Sequence, residues 1–157
     1  DSVASRGLGD VYKRQPAHSA FVQGFRYFNV YGKYMHLRKQ TSIIHHWQEE
    51  AHKTGKVTVW NNAEHIKRDW VWVGDVCKLH IDFIKSVYGS GLWNVGSGLA
   101  HSYLDIAEGI AERENAEIVV VQSLDSSIRS KSCADLTQLK STIGKRPWLN
   151  VFEYINR

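Results

Sequence analysis

The sequence predicts an α/β fold, and three observations support this. Segments rich in β-branched and aromatic residues, typical of strands, recur along the chain. Between them lie segments whose apolar residues are three and four positions apart, which is typical of amphipathic helices. The chain has 157 residues, of which 43% are hydrophobic and 23% charged, enough for one sizeable core. Strands that alternate with helices favour a sheet covered by helices.

The composition also argues against several classes of protein. The chain has only 2 Pro and is neither collagen-like nor Pro-rich. No apolar run approaches the roughly 18 residues that a membrane helix requires, so no membrane partner is expected. The 2 Cys form no disulfide framework and no signal peptide is visible, so we expect a cytoplasmic protein. The net charge of +4 is too mild to indicate a nucleic-acid partner.

The elements of the first third are a strand, a helix and a second strand. Residues 21–30 are aromatic and β-branched and predict a strand that ends at residues 31–32. Apolar residues at helical spacing predict a helix over residues 41–53, which Gly55 ends. The alternating residues 56–60 predict the second strand.

In the middle of the chain, residues 69–73 predict a third strand. Asp75 is then expected to cap the N-terminus of a helix that the glycines within residues 89–91 break. Residues 92–95 form a short apolar run that predicts a strand. Four apolar side chains are expected on the buried face of the helix: Val76, Leu79, Phe83 and Val87. Cys77 is expected to be a buried thiol of the same helix.

In the last third, Ser102 and Asp105 predict a capping box that opens a helix reaching to about Asn115. Residues 117–122 predict a further strand. Two more helices are predicted over residues 135–142 and 151–157.

Residues 1–15 differ from the rest of the chain, since they show neither helical nor strand periodicity. Residues 5–15 resemble a translated sequencing-library adapter, with a natural loop as the alternative. We therefore expect residues 1–15 to pack poorly and to carry no function, and residues 16–157 to be native. After Gln15 no glycine-rich turn follows an early strand, as a dinucleotide-binding fold requires, and there is no Tyr-x-x-x-Lys pair.

Four motifs carry a family resemblance. They are FRYFNVYG at residues 25–32, KRDWVWVGDV at 67–76, LWNVGSG at 92–98 and CADLTQLKSTIG at 133–144. Together they resemble extended short-chain dehydrogenase/reductases that act on nucleotide sugars, and they are most similar to ADP-L-glycero-D-manno-heptose 6-epimerases. The resemblance covers nearly all of residues 16–157, but only the C-terminal half of the family's length.

This resemblance implies the C-terminal part of an extended Rossmann-type fold: an incomplete parallel sheet plus a small mixed α/β substrate-binding domain. It implies an isomerase that uses NAD or NADP to oxidise C6 of ADP-heptose transiently, on the route to lipopolysaccharide core. The glycine-rich motif and the Tyr/Lys pair would lie upstream of Pro16. We therefore expect the chain alone to be inactive, and a homo-oligomer of the whole protein stays open.

The resemblance also implies a set of substrate-binding residues. Asn29 would lie beside the substrate and Val30 beside the nicotinamide, with capping of the next turn as the alternative for Asn29. Arg68 would bind the diphosphate, for which a guanidinium fork is well suited, with a surface ion pair or an Asp69 ion pair as the alternative. His46 would reach the substrate or be structural. Four residues would line the nucleotide pocket, with a core position as the alternative for the first: Trp60, Asn61, Asn62 and Ala63.

Two positions depart from the family pattern. The loop lysine implicated in proton transfer aligns with Arg38, with Lys39 as a rival, and arginine is a poor general base. Arg38 could instead bind phosphate or the nicotinamide ribose. A pocket tyrosine aligns with Ile128, which cannot hydrogen-bond a sugar. Another nucleotide-sugar epimerase or dehydratase, or a non-catalytic paralogue, therefore stays open.

The histidines do not favour a metal site. His45 and His46 are adjacent and would lie on different helix faces, and no His-Glu-x-x-His motif occurs. No metal is expected.

Overall fold

The structure, a computed structural model, describes residues 21–33, 41–122 and 130–157. Within these ranges the predicted α/β class is confirmed. The strands are β1 (Gln23–Tyr27), β2 (Asn29–Tyr31), β3 (Lys56–Trp60), β4 (Lys67–Trp72), β5 (Gly91–Val95), β6 (Ala100–Ser102), β7 (Glu117–Val121) and β8 (Lys131–Ser132). The helices are α1 (Ile43–Thr54), α2 (Val73–Lys85), α3 (Tyr103–Glu114), α4 (Thr137–Ile143) and α5 (Val151–Ile155), and a short 3₁₀ turn covers Ala63–His65.

The described strands form three sheets. β1 pairs with β5, and β3 pairs with β7, both in parallel. The third sheet is built on β4, which lies parallel to β2 and β8 and antiparallel to β6. β4 therefore holds together segments from four parts of the chain. None of the helices in the described ranges has the length and apolar content to span a membrane.

The prediction of one strand over residues 21–30 is wrong in one respect. The chain forms β1, leaves the pairing at Phe28 and then forms β2 in a different sheet. The Phe28 N–H still donates to the Val95 carbonyl at 2.9 Å, and Asn29 then lies opposite Trp70 of β4. Residues 21–30 have a strand-forming composition throughout. They form two strands because β1 and β2 pair with different partners.

Two hydrophobic clusters form the core. The first packs α1, α3 and α5 against β3 and β4, and its largest buried members are Tyr31, Ile44, Trp47, Trp70, Ile106, Ile110 and Ile155. The second packs α2 and α4 against β5, and its buried members are Leu79, Phe83, Trp93, Val95, Ala134, Leu136 and Leu139. Of the side chains predicted on the buried face of α2, Leu79 and Phe83 are buried in the second cluster and Val76 packs against it.

Helix α1 also covers one edge of β3 through side chains. The Glu50 carboxylate accepts hydrogen bonds from the Thr58 N–H at 3.1 Å and from its hydroxyl at 2.5 Å. The Trp47 indole N–H donates to the Thr58 carbonyl at 2.8 Å. The backbone groups of Thr58 are thus satisfied as another strand would satisfy them, so α1 protects this edge of β3.

The N-terminus of α2 differs from the prediction. The helix begins at Val73, so Asp75 lies inside the first turn and is not the N-cap. Its buried carboxylate accepts the Leu149 N–H at 2.7 Å and lies 3.3 Å from the Lys78 ammonium. The Asp75 carboxylate is therefore hydrogen-bonded to a distant backbone segment rather than to the N–H groups of its own helix. At the other end, the helix stops at Lys85, so Val87 is 84% exposed, and Cys77 is exposed rather than buried.

Tyr31 gives the fold a predicted sensitivity to alkaline pH. Its buried hydroxyl donates to the Leu149 carbonyl at 3.3 Å, and its ring lies 5.0 Å from that of Tyr154. Burial, and then the nearby Asp75 carboxylate, raise the pKa of Tyr31. A raised folded-state pKa stabilises the fold below the unfolded-state value of about 10, and this contribution is lost as the pH rises through the folded-state pKa.

The urea midpoint of the wild type is therefore expected to fall more steeply above about pH 10 than that of Tyr31→Phe. Some fall should remain in the variant, since burial also raises the pKa of Tyr154. Urea titrations of both proteins at several pH values check this. Parallel curves for the wild type and Tyr31→Phe would contradict it.

Candidate functional site

Strand β4 places two charged neighbours on opposite faces, since successive strand side chains alternate. Arg68 donates from Nη1 to the Lys67 carbonyl at 2.8 Å, and its guanidinium carbon lies 5.7 Å from the centre of the Tyr103 ring. Asp69 is fully buried on the other face. The alternative in which Arg68 pairs with Asp69 is therefore wrong.

The Asp69 carboxylate organises the two segments that cover its face of β4. Oδ1 accepts from the Ser97 N–H and from the Ser97 hydroxyl, each at 2.7 Å. Oδ2 accepts from the Gly98 N–H at 2.9 Å and from the Ala134 N–H at 3.0 Å. The sequence analysis assigned Asp69 no such role, because all four donors lie far from it along the chain.

Tyr103 lies at the centre of an aromatic cluster, defined here as Trp47, Trp60, Trp70 and Tyr103. The Tyr103 ring centre is 5.8 Å from that of Trp47, 6.2 Å from that of Trp60 and 5.8 Å from that of Trp70. Trp60 lies at an interplanar angle of 30° to Tyr103, and Trp47 at 89°. The sequence analysis did not select Tyr103, although it directly follows the predicted cap Ser102.

The four predicted nucleotide-pocket residues occupy different environments. Trp60 is half-buried at the end of β3, whereas Ala63 is buried in the first cluster. The Asn61 amide donates to Gln122 Oε1 at 2.8 Å. Asn62 Oδ1 is buried and accepts no hydrogen bond within the described part of the chain. Within the described residues this acceptor is therefore left for another donor, such as an ordered water or a ligand N–H group.

Asn29 and His46 lie beside this region. The Asn29 amide donates to the Asp69 carbonyl at 3.1 Å, so it links β2 to β4 rather than capping the next turn. Val30 follows it in β2, opposite Val71. His46 is half-buried on α1, directly before Trp47 of the aromatic cluster. The structure thus brings Trp60 and Arg68 together on Tyr103, with Asn29 joined to the strand of Arg68.

Three predicted residues, Arg38, Lys39 and Ile128, lie outside the described residues. Among residues 21–33, 41–122 and 130–157, no three His, Cys, Asp or Glu side chains converge to hold a metal ion.

The profile of the NAD dependent epimerase/dehydratase family matches residues 10–96, more than half of the chain. The chain belongs to this family. The family implies a nicotinamide cofactor, and the glycine-rich loop at residues 96–98 is the natural place in this chain to seek a phosphate cradle. The loop does not fit that role, because the Ser97 and Gly98 N–H groups already donate to Asp69. The described residues thus offer no dinucleotide cradle in this loop.

Solved structures of related epimerases and dehydratases show the same fold. UDP-glucose 4-epimerase of Thermus thermophilus, solved with NAD, is 25% identical with a TM-score of 0.77, over 98% of this chain and 49% of that one. ADP-L-glycero-D-manno-heptose-6-epimerase of Helicobacter pylori is 24% identical with a TM-score of 0.72, over 85% and 41%. An NAD-dependent NDP-hexosamine 5,6-dehydratase of tunicamycin biosynthesis is 20% identical with a TM-score of 0.79, over 97% and 49%.

The predicted fold class, part of an extended Rossmann-type short-chain dehydrogenase/reductase, is therefore confirmed. The chain spans about half the length of these three structures.

Proposed function

We propose that this chain is the substrate-binding part of a nucleotide-sugar epimerase that uses NAD or NADP. The observation that carries the proposal is the position of Arg68, whose guanidinium lies over the Tyr103 ring, which the half-buried Trp60 also contacts. A guanidinium binds a diphosphate through parallel charge-assisted hydrogen bonds, and an indole ring can stack on a base. A group suited to the diphosphate and a group suited to the base therefore both contact Tyr103.

Within this class we propose ADP-heptose as the substrate, with transient oxidation and re-reduction at C6. The likeness to the Helicobacter pylori ADP-L-glycero-D-manno-heptose-6-epimerase supports this substrate. Asn62 Oδ1 is a buried acceptor without a donor among the described residues and would suit an N–H of the base, which adenine and uracil both carry. It lies two residues after Trp60, the proposed stacking residue. When bound, the nicotinamide would accept and return the hydride, and the described residues of this chain would bind and orient the sugar nucleotide.

A second candidate is a UDP-sugar epimerase or a related dehydratase. The Thermus thermophilus enzyme favours it, because that likeness extends over 98% of this chain, more than the likeness to the heptose enzyme. The base separates the two candidates. Isothermal titration of the chain with ADP and UDP should show tighter binding of ADP, and tighter binding of UDP would reject the heptose assignment.

Arg68→Ala tests the diphosphate site itself. Losing hydrogen bonds between a charged donor and a diphosphate is expected to weaken ADP binding roughly 10- to 100-fold, with a smaller effect on adenosine. Titration of the wild type and the variant with both ligands measures this.

The matched control is Lys67→Ala, which removes the neighbouring exposed cation from the opposite face of β4. It should retain ADP affinity within about threefold, as surface charges contribute little. An equal loss in both variants would contradict a specific role for Arg68.

A further inference from the structure

We infer that Tyr103 is a positioning residue that holds the Arg68 guanidinium in place for its diphosphate ligand. The inference rests on the proposed function, since it deepens the role of the same site. The guanidinium carbon lies 5.7 Å from the ring centre, within the range of about 6 Å at which a cation and an aromatic face attract each other.

The Tyr103 ring is itself held from several directions. Trp47 meets it edge to face at 5.8 Å, and Trp60 and Trp70 lie against it at 6.2 and 5.8 Å. Its backbone N–H donates to the Ile66 carbonyl at 2.9 Å, which joins the start of α3 to the residue before β4. The strand pairing that sets Arg68 opposite His101 brings the two side chains together. The Tyr103 ring that contacts Arg68 is therefore held in place by the first core cluster.

A fixed Tyr103 ring matters because a free arginine side chain has many rotamers, and the entropy lost when one rotamer is selected opposes ligand binding. The hydrogen bond from Nη1 to the Lys67 carbonyl holds one end of the guanidinium, and the Tyr103 ring lies 5.7 Å from its carbon. Among residues 21–33, 41–122 and 130–157, that hydrogen bond engages one of the five N–H donors that a guanidinium carries, which leaves the others for an anion. The ring, and not the hydroxyl, would perform this role.

The test compares Tyr103→Leu, which removes the ring, with Tyr103→Phe, which keeps it. We expect Tyr103→Leu to weaken ADP binding roughly three- to tenfold, as loss of a cation–aromatic contact does, and Tyr103→Phe to stay within twofold of the wild type. Adenosine, which has no phosphate, should bind both variants alike. Tyr88→Leu is the control, because it removes a partly buried tyrosine from the second cluster, away from Arg68.

A spectroscopic measurement follows the position of Arg68 directly. The Arg68 guanidinium carbon lies over the Tyr103 ring, 5.7 Å from its centre, so we expect the neighbouring Nε–H proton to have an upfield NMR shift from the ring current. Tyr103→Leu should lose this shift without ligand, while Tyr103→Phe and Tyr88→Leu should keep it. Thermal unfolding of each variant shows that the comparison is made on folded protein.

Two outcomes would overturn the inference. One is an unchanged Arg68 resonance in folded Tyr103→Leu. The other is an equal loss of ADP and adenosine affinity in Tyr103→Leu, since the ring would then act on the base or on the fold. If the wild-type chain binds neither ADP nor UDP, the proposed function fails instead, and the Arg68 resonance still decides whether Tyr103 positions this side chain.

Discussion

Asp69→Ala is expected to lower the free energy of unfolding by about 3–5 kcal/mol. The fully buried carboxylate accepts four hydrogen bonds, from two donors of Ser97 and from the N–H groups of Gly98 and Ala134. Hydrogen bonds to a charged group contribute about 1.5–3 kcal/mol each, and water entering the cavity would recover part of the loss. Urea denaturation followed by tryptophan fluorescence measures the change.

The control for this prediction is Asp82→Ala. Asp82 lies 3.1 Å from Arg146, and its side chain is 52% exposed whereas that of Arg146 is 16% exposed, so its loss should cost about 1–2 kcal/mol, less than the loss of Asp69. Amide hydrogen exchange adds a local test, because the Ser97, Gly98 and Ala134 amides should exchange faster in Asp69→Ala than in Asp82→Ala. A stability of Asp69→Ala within about 1 kcal/mol of the wild type would contradict the role assigned to the carboxylate.

Features set by local chemistry could be predicted from the sequence. The capping box is confirmed, since the Ser102 hydroxyl accepts the Asp105 N–H at 3.0 Å and the Asp105 carboxylate accepts the Ser102 N–H at 2.9 Å. Gly55 ends α1 in the left-handed conformation, as its position after the helical pattern predicted. These rules depend on residues three or four positions apart, which a sequence shows directly.

Features set by distant partners could not be predicted. β6 and β8 are only three and two residues long, and they are strands because they pair with β4. The division of residues 21–30 likewise depends on which strand each half meets. Short segments carry too little periodicity to indicate a partner.

The same distinction applies to the candidate site. Arg68 and Trp60 were selected because they occur in motifs of the family. Tyr103 was not, since its role depends on the antiparallel pairing of β4 with β6, which no local pattern indicates. Asp69 was weighed only as a partner of Arg68, although its own neighbours lie across the sheet.

Gly96→Ala is the second substitution with a large expected effect, a loss of about 2–3 kcal/mol from overpacking. A Cβ at Gly96 would lie 2.6 Å from Asp69 Oδ2 and 2.7 Å from the Ala134 Cβ. Real Cβ contacts are not this short, so the loop or the 133–134 segment would have to move. Either shift would disturb hydrogen bonds of the Asp69 carboxylate.

Gly55→Ala separates this crowding from the general cost of replacing a glycine. Gly55 has a φ of +67° and no atom within 4 Å of the added Cβ, so its replacement should cost only about 1 kcal/mol, through backbone strain. Because Gly96 and Asp69 act on the same contacts, the double variant Asp69→Ala/Gly96→Ala should lose at least about 0.5 kcal/mol less than the two single losses added together. Additive losses in urea denaturation would show that the added methyl group acts independently of the carboxylate, through Ala134 alone.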